Sequence, residues 1–336
     1  DLHLSLRRQR QMCIRDRKII NNPSNFVEES IDGLIKSHPN VYALAKDNNR
    51  VVTRANKSSK KVGIVTGGGS GHLPVFTGYV GKGFLDACAI GSVFASPSVE
   101  QMVSAIKNAD NGNGVLCIIG NYGGDVMNFE MAAEMYSGSQ ASVLTNDDVA
   151  VEDSTFTTGR RGVAGTLVVE KIVGAAAEQG ADLDSCCALA QRVNSQSASM
   201  GVALTSCTVP AAGKPTFEIA ENEIEMGVGI HGEPGRKRMP LVSADELAAQ
   251  LLQPIVDALE LTSSDEVLLL VNGFGATPMM ELSLMFECVG RLLDDRQVTI
   301  HRSLLGNYVT SLDMAGCSIT LTKLDPEMLE LWDAPV

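Results

Sequence analysis

A two-domain α/β fold is predicted: a mostly parallel sheet with helices on both faces, followed by a smaller mixed-sheet α/β domain. Three observations predict it. The chain has 336 residues, too many for one ordinary core. From Lys60 onward, short β-branched runs alternate with helix-patterned stretches, the texture of parallel strands joined by crossover helices. After about Ser197 the texture changes to close-spaced strands joined by Pro/Gly turns. These place an N-terminal domain over 18–197 and a C-terminal domain over 198–336.

Residues 1–17, DLHLSLRRQRQMCIRDR, hold five arginines against two acidic residues and match nothing that follows. They lack the apolar stretch of a secretory signal, and an Arg-rich transit peptide is possible but short of Ser. QMCIRDR resembles translated adapter read-through, so 1–17 is read as a non-native or unstructured tail. KVGIVT (61–66) is a strand that empties into the glycine run 67–72. VLCII (115–119) is a second, emptying into 120–125, and VMNFEMAAEMY after it has helical spacing. ASVLTN (141–146) is a third strand. The loop TTGRRG (157–162) then opens a helix to about Gln179, and LDSCCALAQRVNSQ is another helix. MGVALTSCTV, TFEIA and EMGVGI are strands of the second domain. Ser243-Ala-Asp-Glu246 is a capping box opening a helix to about Glu260. EVLLLVNGFG (266–275) is a buried strand, followed by a helix over 277–293 and strands near 297–303 and 316–322.

Composition limits the function classes. Hydrophobic residues make up 44% of the chain and there are 32 glycines, as in a compact enzyme with many tight turns. The net charge is −13, which argues against nucleic acid or an anionic membrane as partner. No run of about 18 apolar residues occurs, so no membrane span is expected. The eight cysteines form no C-x-x-C pair and several lie in apolar runs. They fit the buried thiols of a cytoplasmic protein.

His231 is the most informative residue. It lies in Gly229-Ile230-His231-Gly232-Glu233-Pro234-Gly235, a run that cannot enter a regular helix or strand. Its imidazole therefore rides on an irregular loop, where binding groups concentrate. Taken alone, a turn-capping histidine is the plainer reading. The run Gly67-Gly68-Gly69-Ser70-Gly71-His72 lacks the Gly-Lys-Ser/Thr ending of a P-loop and the dinucleotide spacing. It offers a nest of backbone N–H groups with one imidazole at its end, although a structural turn explains it equally well. Asp125 is an N-cap or a site residue. His72 and Asp125 both lie at carboxyl ends of strands, where open α/β sheets bind ligands.

Taken together, GGGSGH at 67–72, NYGGDVMNFE at 121–130, NDDVAVEDSTFTTGRRGVAGT at 146–166 and GVGIHGEPG at 227–235 resemble the dihydroxyacetone-binding K subunits of dihydroxyacetone (glycerone) kinase. The likeness runs from about Lys18 to the end, with all four motifs in order. It implies that His231 binds the substrate carbonyl covalently as a hemiaminal. It also implies that His72 and Asp125 handle the substrate hydroxyls and their protons, and that Gly69, Ser70 and Gly71 form the cradle. No metal and no cofactor are expected on this chain. The resemblance places ATP or ADP with Mg²⁺ on an L-type partner subunit or fused domain, recharged in some systems through a phosphotransferase chain. It further implies a cytoplasmic homodimer. A neutral imidazole is a competent nucleophile, and phosphoryl transfer depends chiefly on positioning.

Three departures qualify the resemblance. His72-Leu73-Pro74 stands where many members have His-Glu-Pro, as in a branch associated with four-carbon ketoses such as erythrulose. Gly120 replaces a substrate-binding lysine of some members. The chain also stops a few residues before the usual K-domain end, as a fragment would. Arg160 and Arg161 are left outside the site, as an anion-binding pair or a solvated pair opening a helix. Two other readings compete: a ketose-binding sensor acting through protein contacts, and a nucleotide enzyme of Rossmann type, which the failed fingerprints disfavour.

Overall fold

The structure is a computed structural model and describes residues 18–58, 60–150, 159–233 and 235–336. The tail 1–17, residues 151–158 of the third motif and Pro234 of the histidine loop lie outside the described residues.

Strand β1 (Tyr42–Leu44) and β2 (Val51–Arg54) form an antiparallel hairpin after helix α1 (Phe26–Ser37). The strands β3 (Gly63–Ser70), β4 (Ala87–Val93), β5 (Val115–Gly120) and β6 (Gln140–Thr145) then pair in parallel, in the order β4-β3-β5-β6, with the hairpin antiparallel against β4. Helices α2 (Val99–Ala109), α3 (Gly123–Met135), α4 (Gly165–Glu178) and α5 (Leu183–Ser195) make the crossovers and the exit. A capping box at Ser98 and Gln101 starts α2.

Ser197 opens β7 (Ser197–Ala203), the first strand of a second six-stranded sheet. Its other strands are β8 (Glu223–Met226), β9 (Lys237–Pro240), β10 (Glu266–Gly273), β11 (Thr299–Gly306) and β12 (Gly316–Lys323). The order is β11-β10-β12-β7-β8-β9, parallel only between β10 and β11. The mixed sheet expected from the close-spaced strands is therefore present. Helix α6 (Ala244–Leu259) starts at the expected capping box, with Ser243 accepting from the Glu246 N–H. Helices α7 (Met279–Asp295) and α8 (Pro326–Asp333) complete the chain.

Strand alternation distributes the side chains into layers. In β5, Val115, Cys117 and Ile119 face a core built with α2 and α3, while Leu116 and Ile118 face α4. In β10, Val267, Leu269 and Val271 face α6 and α7, while Leu268 and Leu270 turn to the same central core as Ile118. Helix α4 lies in that central layer, buried continuously from Gly165 to Ala177. Its small residues permit close packing: a Cβ on Gly174 would lie 2.6 Å from the Phe84 backbone. The two sheets thus share a core.

Two local expectations need correction. The glycine run is not a loop over its length, because β3 continues through Gly67, Gly68 and Gly69 to Ser70, with Gly67 and Gly68 in register with Ala89 and Ile90. Close approach explains it: a Cβ on Gly67 would lie 3.0 Å from Ala89, and one on Gly68 would enter the Phe76 ring. The glycines serve the ladder more than they form an open nest. TFEIA (216–220) is not a strand; β8 starts only at Glu223.

Candidate functional site

The site forms where the carboxyl ends of β3 and β5 meet the loop after β8. His72 lies two residues beyond the end of β3 and is fully buried. The chain there is stitched to the second sheet's side: the Thr310 N–H donates to the His72 carbonyl at 3.1 Å, and the Leu312 N–H to the Gly71 carbonyl at 2.8 Å. The His72 Nδ1 lies 2.8 Å from the Thr310 carbonyl. A carbonyl only accepts, so Nδ1 carries the proton and Nε2 is the bare acceptor. Nε2 is buried and has no hydrogen-bond partner. Burial and the neighbouring His231 push the His72 pKa down to about 3, against a smaller upward pull from the Thr310 carbonyl. The ring is neutral at every pH near physiological.

Asp125 is the third residue of α3, whose N-cap is Tyr122. It is therefore not the cap. Its carboxyl is buried, with Oδ1 unpartnered. Burial raises its pKa to about 6, while a hydrogen bond from Ser96 and the charge of His231 pull the other way. A buried acid of this kind is poised to exchange a proton near neutrality.

His231 sits in an irregular turn after β8, as expected from its glycines. Gly232 has φ +70° and its N–H donates to the Gly229 carbonyl at 3.2 Å. The Glu233 carboxylate folds back so that Oε2 accepts the His231 N–H at 2.8 Å, and its Oε1 lies 3.7 Å from His231 Nδ1. Three rings surround the imidazole: Tyr122 at 4.4 Å and His72 at 4.6 Å between centroids, both nearly perpendicular, and Phe94 at 5.6 Å. Phe94 also stacks on His72 at 5.0 Å. A cavity of about 440 Å³ opens here, with His231, Asp125, Tyr122, Phe94, Ser96 and Glu233 among its walls. That suits a small polar substrate.

The structure brings His231, His72 and Asp125 together from three separate stretches of chain. It does not bring Gly69, Ser70 and Gly71 to the same wall. They line a neighbouring, mostly apolar cavity of about 230 Å³ between β3 and α1. The Ser70 Oγ donates to the Gly91 carbonyl at 2.7 Å. Gly71, at φ +108°, leaves room for the Phe94 ring, which a Cβ would meet at 2.7 Å. These residues back the aromatic wall.

Arg161 corrects another expectation, since it is fully buried rather than solvated. Its Nε donates to Asp148 at 2.7 Å and Nη2 to the Gly227 carbonyl at 2.7 Å. Nη1 lies 3.7 Å from Glu233 Oε1. Asp147 beside it accepts from the Val163 and Gly165 N–H groups, at 2.9 and 2.7 Å. Burial would raise the Glu233 pKa, but His231 and Arg161 hold it down to about 2. Arg160 contributes its carbonyl to the Asn121 side chain at 2.7 Å. Phe94, Tyr122 and Glu233 were not singled out by the sequence. Tyr122, inside the NYGGDVMNFE motif, and Glu233, two residues from His231, lay in recognised motifs, whereas Phe94 carried no signal.

Among the described residues no group of three His, Cys, Asp or Glu side chains is placed to hold a metal. No helix among them is long and apolar enough to cross a membrane. The described cysteines are all free, and all but Cys187 are buried.

A sequence profile described as the Dak1 domain matches residues 32–336. The chain is 49% identical over 314 residues to the dihydroxyacetone-binding subunit DhaK of PTS-dependent dihydroxyacetone kinase 1 from Listeria innocua, covering 93% of this chain and 95% of that one. It is 38% identical over 325 residues to the L-erythrulose kinase of Pectobacterium atrosepticum, covering 94% of this chain and 55% of that one. Among solved structures, the dihydroxyacetone kinase operon co-activator DhaQ superposes with a TM-score of 0.86 at 33% identity, covering 92% of this chain and 96% of that one. The profile spans both sheets and every residue of the site just described, so the chain belongs to the Dak1 family.

Proposed function

We propose that this chain is the ketose-binding component of a dihydroxyacetone-type kinase, a phosphotransferase with an alcohol acceptor. It holds dihydroxyacetone as a covalent adduct of His231 while the primary hydroxyl is phosphorylated. The observation that carries this reading is that His231 and Asp125 line one small cavity, with the buried His72 packed against the His231 ring. A relative that binds dihydroxyacetone stands at 49% identity and an erythrulose kinase at 38%, which favours the three-carbon ketose. Loss of a glutamate after His72 and of a lysine at Gly120 does not outweigh that difference.

In the first step a nitrogen lone pair of His231 adds to the carbonyl carbon. One N–C bond forms, the C–O π pair moves to oxygen, the oxygen gains a proton and the ring loses one. The product is a neutral hemiaminal with no leaving group. Polyols such as glycerol, which have no carbonyl, are rejected. The adduct fixes the free primary hydroxyl, converting the subsequent encounter into a positioned reaction. Asp125, ionised above about pH 6, and the bare Nε2 of His72 are the acceptors for that hydroxyl's proton. The phosphoryl group comes from an L-type partner, subunit or fused domain, carrying ATP or ADP with Mg²⁺. Homodimerisation and a cytoplasmic location complete the proposal.

The test is intact-mass analysis of the chain with dihydroxyacetone, followed by turnover with an L subunit and ATP. Retention of one ketose per chain and its phosphorylation are expected. A persistent adduct without turnover would favour the second reading, a ketose-binding sensor, which the likeness to the DhaQ co-activator motivates.

A further inference from the structure

We infer that Glu233 is a positioning residue for the nucleophile: it holds the His231 ring with the proton on Nδ1 and leaves Nε2 to attack the ketone. This inference rests on the covalent role proposed for His231 and names the group that directs it.

The geometry is specific. One oxygen of Glu233 is tied to the loop itself, accepting the His231 N–H at 2.8 Å. The other, Oε1, is buried without a hydrogen-bond partner and lies 3.7 Å from both His231 Nδ1 and Arg161 Nη1. That is beyond hydrogen-bond range but within ion-pair reach. A carboxylate can only accept, so the tautomer with hydrogen on Nδ1 is favoured beside it. When Nε2 adds to the carbonyl the ring passes through a cationic state, and Oε1 is the nearest counter-charge. The Nδ1 proton then leaves to water as the carbinol oxygen gains one, which restores a neutral ring.

Arg161 explains why the carboxylate directs the ring without taking its proton. The guanidinium is anchored by Asp148 and by the Gly227 carbonyl, so it faces Glu233 as a fixed positive charge. Glu233 remains ionised throughout and is a counter-ion, not a base. Gly229 completes the arrangement, because a Cβ there would run into the Glu233 carboxylate. The rings of Tyr122, Phe94 and His72 fix the imidazole's tilt, but none of them offers a charge to Nδ1.

The test uses the full chain with ¹⁵N-labelled histidine. In the wild type, His231 is expected to show its proton on Nδ1. Glu233→Gln preserves shape and an acceptor for the His231 N–H but removes the charge. It is expected to shift the ring toward the Nε2-protonated form and to slow adduct formation by at least roughly tenfold, the scale seen when a histidine loses its orienting partner. Its far-UV spectrum is expected to stay unchanged, and Glu233→Asp to recover part of the rate. An unchanged tautomer and adduct rate in Glu233→Gln would overturn the inference. If that variant fails to fold, the wild-type spectrum decides, since a ring protonated on Nε2 also overturns it. Absence of any adduct in the wild type would instead remove the covalent role of His231, an outcome the tautomer measurement does not depend on.

Discussion

Burial acts in opposite directions on the two groups that flank His231. It raises Asp125 to about 6 and lowers His72 to about 3, because in each case the charged form is disfavoured. Asp125 must be ionised to accept a proton, so turnover with a partner subunit is expected to fall about tenfold per pH unit below pH 6. No second loss from His72 should appear between pH 5 and 8; a ¹⁵N titration of His72 would show a flat line there. The same shift carries a stability consequence. Asp125 binds its proton more tightly in the folded state, so its contribution weakens as pH rises from about 4 through 6. Asp125→Asn is therefore expected to stabilise the fold at pH 7 by about 2 kcal/mol while slowing turnover, which denaturant melts at pH 5 and 7 would separate. His231→Ala is expected to abolish the ketone adduct altogether, read by intact mass. His231, His72 and Asp125 were legible because each sits at a glycine-marked strand or loop end. Phe94 and Tyr122 were not, since an aromatic residue after a strand reads like any other core residue. The burial of Arg161 was not legible because two of its partners, Gly227 and Glu233, come from the other half of the chain.

At the level of elements, strands with strong β-branched runs were the easiest to read. β5 and β10 are central strands buried on both faces, and such strands announce themselves as short apolar runs. The capping box at Ser243 located α6 to the residue. The hairpin of β1 and β2 went unread because three and four residues are too short for a period. The glycine triplet of β3 was read as a loop because glycine lacks strand propensity; the close packing of Phe76, Ala89 and Phe94 against it is a tertiary effect. That packing predicts the outcome of filling it. Gly68→Ala would push against the Phe76 ring and is expected to cost about 1–3 kcal/mol, the usual penalty of overpacking, as a fall in denaturation midpoint. The strand ends two residues before His72, so loss of adduct formation is expected to accompany it.

The whole molecule is organised around α4, which both sheets cover. Val228 and Phe274 of the second half belong to the same core as Ile64 and Ile118 of the first. The division near Ser197 is thus a change of sheet with continuous packing across it. A single cooperative transition is expected in calorimetry, with van't Hoff and calorimetric enthalpies equal; two resolved transitions would show separate cores. Arg161 adds a buried charged tie across this seam, between Asp148 of the first half and Gly227 of the second. Arg161→Ala strands two carboxylates and is expected to cost about 3–5 kcal/mol, seen as a lower melting temperature together with loss of the adduct. The parallel-then-mixed order of strands was legible from texture, but this sharing was not, because periodicity reports which residues are buried and never against what.

The stacking of His72 under Phe94, beside a histidine carried by the other sheet, has a consequence for the newly made chain. Under the proposed function the nucleophile, His231, comes from the second half and its proton acceptors, His72 and Asp125, from the first. On that reading a nascent or partly unfolded chain lacks the assembled site, and adduct formation at His231 is expected only once the two halves have closed on one another. Completion of folding is the safety catch on the chemistry.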